Sequence, residues 1–88
     1  MQKTTKLNLR KRSFIFYKDW LDIVLGLQEQ DQLAAVMALC DFAMTGQRPE
    51  DIPDNIDAIL DHAQERVQKD YQKFLDYMEK LTLNKSKQ

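Results

Sequence analysis

Glycine and proline are scarce in this chain, with two of each among 88 residues. So few turn residues argue against a β fold assembled from many short strands. Cysteine occurs once, as Cys40. That excludes an internal disulfide and a four-cysteine zinc site, and it fits a reducing, intracellular setting, read here as cytoplasmic. Histidine also occurs once, as His62. Glu65 follows it at helical spacing, but no second His–carboxylate pair completes the metal arrangement of helical bundles. The only glycines, Gly26 and Gly46, make no phosphate-cradling loop. No nucleophile, base and orienting group can be assembled from motifs. No apolar run approaches the ~18 residues of a membrane span. Phe14 to Leu27 is interrupted by Lys18, Asp19 and Asp22, unlike the apolar stretch of a signal peptide.

What the chain does have is a globular proportion of apolar residues, 43%, and charge of both signs unevenly placed. Met1 to Ser13 carries Lys3, Lys6, Arg10, Lys11 and Arg12 and no acid, whereas every acid lies between Phe14 and Glu79. An acidic body with basic ends is expected. The basic arm serves solubility, or it seeks phosphate or an acidic protein surface. Residues 1–12 are read as that arm, 13–83 as one helical domain, and 84–88 as a frayed tail. In the arm, Leu7 and Leu9 fall on one side if the backbone is extended.

The longest pattern runs from Pro53 to Leu83. Ile56, Ile59, Leu60, Ala63, Val67, Tyr71, Phe74, Met78 and Leu81 recur at steps of three or four, the helical period. Asp54 is placed to cap this helix, and Asn55 and Asp57 suit its positive end. A first helix is expected from Phe16 or Tyr17 to Leu27, with Tyr17, Trp20, Leu21, Val24 and Leu27 on its apolar stripe and Ser13 as a cap if it starts early. Ile23 and Leu25 widen that stripe, and Phe14, Ile15 and Phe16 are expected to plug the core. Gln28 to Gln30 then connect to a second helix, Gln32 to Thr45, capped by Asp31 and stopped by Gly46. Its core face is read as Leu33, Val36, Met37, Cys40 and Met44, with alanines permitting close approach. The short connection favours an antiparallel hairpin of the first two helices. Ile52, in the Gln47–Pro53 loop, is expected to tuck inward. The fold class is therefore all-α: a short helical hairpin packed on a long C-terminal helix, with an extended basic arm.

Length then matters. A helix from Asp54 to Leu81 spans about 42 Å at 1.5 Å per residue. A compact globule of this size has a radius of gyration of about 12 Å, and the first two helices cannot shelter the whole third one. Either the arm folds over the far end, or a second chain covers it, or the helix breaks. The candidate protein interface is Val67, Tyr71, Phe74, Tyr77, Met78 and Leu81. Lys6, Arg10, Lys11 and Arg12 are the candidate contacts for nucleic acid or an acidic partner. Asp57, Asp61 and Glu65 form an acidic row, a solvated face or a lure for a cation or basic partner. His62 reads as an ordinary surface residue and Cys40 as a buried small hydrophobe. A helix-turn-helix reader is disfavoured, since Asp54, Asp57 and Asp61 at the front of the third helix repel phosphate.

Two segments carry a resemblance: Ser13-Phe14-Ile15-Phe16-Tyr17-Lys18-Asp19-Trp20, and Phe42-Ala43-Met44-Thr45-Gly46-Gln47-Arg48-Pro49-Glu50 ahead of a long helix bearing Tyr71. Over about residues 13 to 79 the chain resembles an uncharacterised helical domain of phage and mobile-element proteins of gut bacteria, some in a replication context. In many such proteins a basic glycine-rich segment follows this domain; the residues after Leu83, Asn84 to Gln88, hold no glycine. The resemblance implies no catalytic residues. The expected function is a non-enzymatic protein-interaction module that self-associates or binds another protein, without cofactor or membrane. The alternative is a nucleic-acid-binding accessory protein, in replication or regulation, acting through the arm.

Overall fold

The computed structural model describes residues 10–87, and side chains through Thr82. It contains three helices: α1 Lys18–Leu25, α2 Glu29–Thr45 and α3 Asp54–Lys87. The all-α architecture expected from the sequence is the one found. Lys6 and the leucines of the arm lie outside the described residues.

α1 is shorter than expected at both ends. Tyr17, extended at φ −75° and ψ 149°, takes the capping position, and its carbonyl accepts the amides of Trp20 and Leu21. Ser13 is not the cap. At the other end the amides of Gly26 and Leu27 close tight turns on the carbonyls of Ile23 and Val24. The Gln32 side chain donates to the carbonyls of Leu25 and Leu27, satisfying acceptors that the helix end leaves open.

α2 begins three residues before the expected Gln32. Glu29 and Asp31 both fall in its first turn, where acids suit the dipole, so Asp31 is a first-turn residue rather than the cap. Gly46 ends the helix at φ 75°, donating its amide to the Phe42 carbonyl as a left-handed C-terminal residue does.

The buried face of α2 is offset from the one expected: of the expected residues Val36 packs against the core and Cys40 and Met44 are half-buried. Ala35, Ala38, Leu39, Phe42 and Ala43 are buried, while Leu33 and Met37 point outward. α2 is apolar on nearly every side, so periodicity alone gives two candidate faces. The alanine-rich one wins because small side chains let α2 lie close against α3, and Leu39 and Phe42 then fill the space between.

α3 starts at Asp54, its first amides satisfied by the Pro53 carbonyl, which accepts from Ile56 and Asp57. Asp54 is therefore inside the helix rather than its cap. The helix continues to Lys87, beyond the expected end at Leu81 or Leu83.

The directions follow from the contacts. Asn55 reaches Asp31 at 3.4 Å, so the starts of α2 and α3 are neighbours. Tyr71 lies against Gly46, so the end of α2 meets the middle of α3. The two helices therefore run parallel. α1 runs opposite to both, its start at Asp19 beside His62 and Arg66. The loop from Gln47 to Pro53 has to travel back along α3 for about 25 Å, close to the reach of seven extended residues. Asp51, at φ 59°, makes its one left-handed turn.

One core fills the junction. Trp20 and Val24 from α1, the α2 face, and Ile56, Ile59, Leu60, Ala63 and Val67 from α3 are buried, with Phe14, Phe16, Tyr17 and Ile52 packed against them. Ile15, expected in the core, is 60% exposed, and Leu25 and Leu21 also face outward. α3 is about 51 Å long by its rise, and the molecule is correspondingly elongated at 53 × 29 × 18 Å with a radius of gyration of 15.2 Å.

Candidate functional site

Past Tyr71, neither α1 nor α2 accompanies α3. What this distal part presents is set by the four-three-four-three spacing Val67, Tyr71, Phe74, Met78, Leu81, a seam of the coiled-coil kind. The six residues named as an interface separate into three environments. Val67 is only 2% exposed and belongs to the core, so it is not available to a partner. Tyr71 is half-buried, its ring seated where a Cβ on Gly46 would lie 2.6 Å away, and burial raises its phenol above the ordinary value. It also packs on Phe74, the ring centroids 5.6 Å apart. Phe74 and Met78 are half-buried, whereas Tyr77 is 60% and Leu81 41% exposed.

The described end of the arm explains the partial cover. Arg10, Lys11, Arg12 and Ser13 line a shallow groove together with Phe74, Tyr77 and Met78. The Lys11 amide donates to the Met44 carbonyl at 2.9 Å, pinning the arm across the end of α2. The Arg10 guanidinium stands 3.6 Å from Asp41, while Arg12 is exposed. The chain then passes Asp70 and Lys73 through Phe14 and Ile15 and reaches Tyr17. Of the three ways to resolve the mismatch in helix length, a broken helix is excluded by the unbroken α3. The described end of the arm shares one groove with Phe74, Tyr77 and Met78, and among the described residues Tyr77 and Leu81 stay 60% and 41% exposed.

A polar cluster sits where α1 crosses α3. The Tyr17 hydroxyl donates to Asp70 at 2.5 Å, and Arg66 lies over the Tyr17 ring at 4.4 Å. Arg66 and His62 both reach Asp19, at 3.1 and 2.7 Å. The hydrogen bond that the Tyr17 phenol donates to Asp70 raises its pKa above the usual value, with burial adding to it. The hydrogen bond with His62 lowers the Asp19 carboxyl. His62 is thus a surface histidine with a partner, which the sequence could not name because that partner lies 43 positions away. Asp19, Trp20, His62, Glu65, Arg66 and Lys69 line a shallow cleft of mixed charge. Within it, Asp19 is met by both His62 and Arg66. No group of three or more His, Cys, Asp or Glu among the described residues is placed to hold a metal ion.

The acidic row on α3 also has a local occupant. Arg48, in the returning loop, binds Asp61 at 2.6 Å and Asp57 at 2.5 Å, and also donates to Gln64 and to the Asp57 carbonyl. Those hydrogen bonds raise its already high basicity. Sequence reasoning missed Arg48 as the partner because its position depends on the direction in which the loop returns. Cys40 is half-buried and its thiol is pushed up by burial, the opposite of an activated nucleophile.

No curated protein and no solved structure matches the chain. Its residues 13–88 match a family of unknown function, a span that begins at Ser13, just past the basic arm, and takes in all three helices. The chain belongs to that family, DUF6291.

Proposed function

We propose that the chain is a non-enzymatic protein-interaction module, cytoplasmic and of the kind carried by phages and mobile elements of gut bacteria. Its interaction surface is the distal part of α3, and its occupant is a second copy of the same chain. The observation that carries this reading is the exposure of Tyr77 and Leu81 beside half-buried Phe74 and Met78, on a helix that has outrun its companions. A heptad-spaced seam of this kind is satisfied by another helix of the same pattern. The charges flanking it, Lys73, Asp76, Glu79 and Lys80, are mixed, so two copies can meet without like-charge repulsion along the rim.

Light scattering on the full chain tests it. The wild type is expected above the monomer mass, and Tyr77→Asp combined with Leu81→Asp at the monomer mass with unchanged helical circular dichroism. Both side chains are exposed in the single chain, so the substitutions spare its core. A wild type that stays monomeric at high concentration would sink the reading. Nucleic-acid binding through Arg12 and the rest of the arm is the alternative. Its mark is salt-sensitive affinity that disappears with residues 1–12.

A further inference from the structure

α2 has a second apolar side. Ala35, Ala38, Leu39 and Phe42 are buried in the core shared with α3, while Leu33 and Met37, on the side turned away, are 69% and 62% exposed. With half-buried Cys40 and Met44 they recur at four-three-four spacing, the same step as the α3 seam. The described arm residues cross the end of this line, where Lys11 is bonded to the Met44 carbonyl. Among the described residues, each chain thus holds two exposed apolar strips, one on α2 and one at Tyr77 and Leu81 on distal α3. Pairing two α3 ends would cover the second strip and leave the first bare.

We infer that the two strips cover one another between copies: distal α3 of each chain lies antiparallel on the Leu33–Met37 side of the other chain's α2, about a two-fold axis. This rests on the self-association proposed above and names the element that meets distal α3. Length is the first support. α2 has 17 residues and α3 has 34, twice as many, and α2 ends where Tyr71 lies against Gly46. The part of α3 past Tyr71 is about 24 Å long and α2 about 25 Å, so the overhang has room for one further α2. Direction is the second support. The seam past Tyr71 continues the α3 face that packs on the chain's own α2, so a second α2 set end to end with the first extends the same layer. With the axis between their C-terminal ends, each α2 lies between its own α3 and the other chain's, and Met37 of one copy falls within about a turn of Leu81 of the other. Arg10 to Ser13, beside Met44 and Phe74, then sit near the axis. Charge is the third support. α2 carries Glu29, Asp31 and Asp41 and no lysine or arginine, whereas residues 72–88 hold Lys73, Lys80, Lys85 and Lys87 against Asp76 and Glu79. An acidic helix is thereby set on a net basic one.

Light scattering on the full chain separates this inference from the reading beneath it. Wild type is expected at twice the 10.4 kDa chain mass. Leu33→Asp combined with Met37→Asp is expected at the single-chain mass with unchanged helical circular dichroism, since both side chains are exposed in one chain. A dimer that survives this pair of substitutions but is lost with Tyr77→Asp and Leu81→Asp overturns the reciprocal arrangement and keeps self-association through α3. A monomeric wild type overturns both. Cysteines read the neighbours directly, in full-length Cys40→Ala chains. Under mild oxidation, Met37→Cys mixed with Leu81→Cys should form a bond between chains about tenfold faster than either variant alone, because dimerisation raises the effective concentration of that pair. Faster closure of Leu81→Cys with itself would set α3 on α3 and overturn the inference.

Discussion

At Gly46 the backbone and the packing make the same demand. The residue sits at φ 75°, and a Cβ there would lie 2.6 Å from the Tyr71 ring. Gly46→Ala is expected to cost about 2 kcal/mol, part for the left-handed backbone and part for displacing the ring. At Gly26 the backbone is right-handed and an added Cβ meets nothing closer than 3.4 Å. Gly26→Ala is expected to stay within about 0.5 kcal/mol of wild type. Urea unfolding of the two variants side by side checks the contrast. Tyr17 gives a pH-dependent counterpart. Its folded value is raised above 10.0, so the neutral phenol is the form that the fold favours. Its contribution is complete below pH 10 and is lost as pH rises through the folded value. Tyr17→Phe should therefore lose about 1 kcal/mol at neutral pH, and the gap should close in strongly alkaline solution. A gap that persists there would show that the hydroxyl bond to Asp70 is not the source of the difference.

At the scale of elements, the eight residues between α2 and α3 set the topology. They let two consecutive helices run parallel, and Arg48 fastens them to the first turns of α3 through Asp57, Asp61 and Gln64. Arg48 keeps about a quarter of its side chain exposed, and Asp57 and Asp61 half or more, so solvent and salt weaken the pairs. Arg48→Ala is expected to cost about 1 kcal/mol at low salt, and Arg48→Lys to recover little, since an ammonium cannot serve several acceptors in one fork. Full rescue by lysine would mean that charge alone matters. At this scale the sequence was legible for the existence of each helix, for Gly46 as a stop, and for the α3 face from Ile56 to Val67. It was not legible for the face of α2. There alanine and larger apolar residues alternate around the whole helix, and only the approach of α3 selects Ala35, Ala38 and Phe42 over Leu33 and Met37.

For the whole molecule, the shape itself is informative. A radius of gyration of 15.2 Å exceeds the ~12 Å of a compact chain of this length because α3 overhangs the core. Without a partner, the amides of α3 past Tyr71 rest on few buried contacts. They should exchange with solvent faster than those from Ile56 to Val67. Hydrogen exchange read against protein concentration checks this. If copies pair, protection past Tyr71 rises with concentration and is lost in the Tyr77→Asp, Leu81→Asp variant. Protection independent of concentration would point to the arm as sufficient cover.

Periodicity, chain length and the scarcity of glycine and proline determined by themselves that the chain is three helices with the third too long for the others. These are local and additive properties, and each residue reports its share without reference to distant ones. The tertiary structure decided which side of α2 faces inward, that Val67 is core while Tyr77 stays open, and that Asp57 and Asp61 are met by Arg48. Those outcomes depend on the direction of one returning loop, and that direction brings together residues whose separation along the chain carries no signal of their meeting.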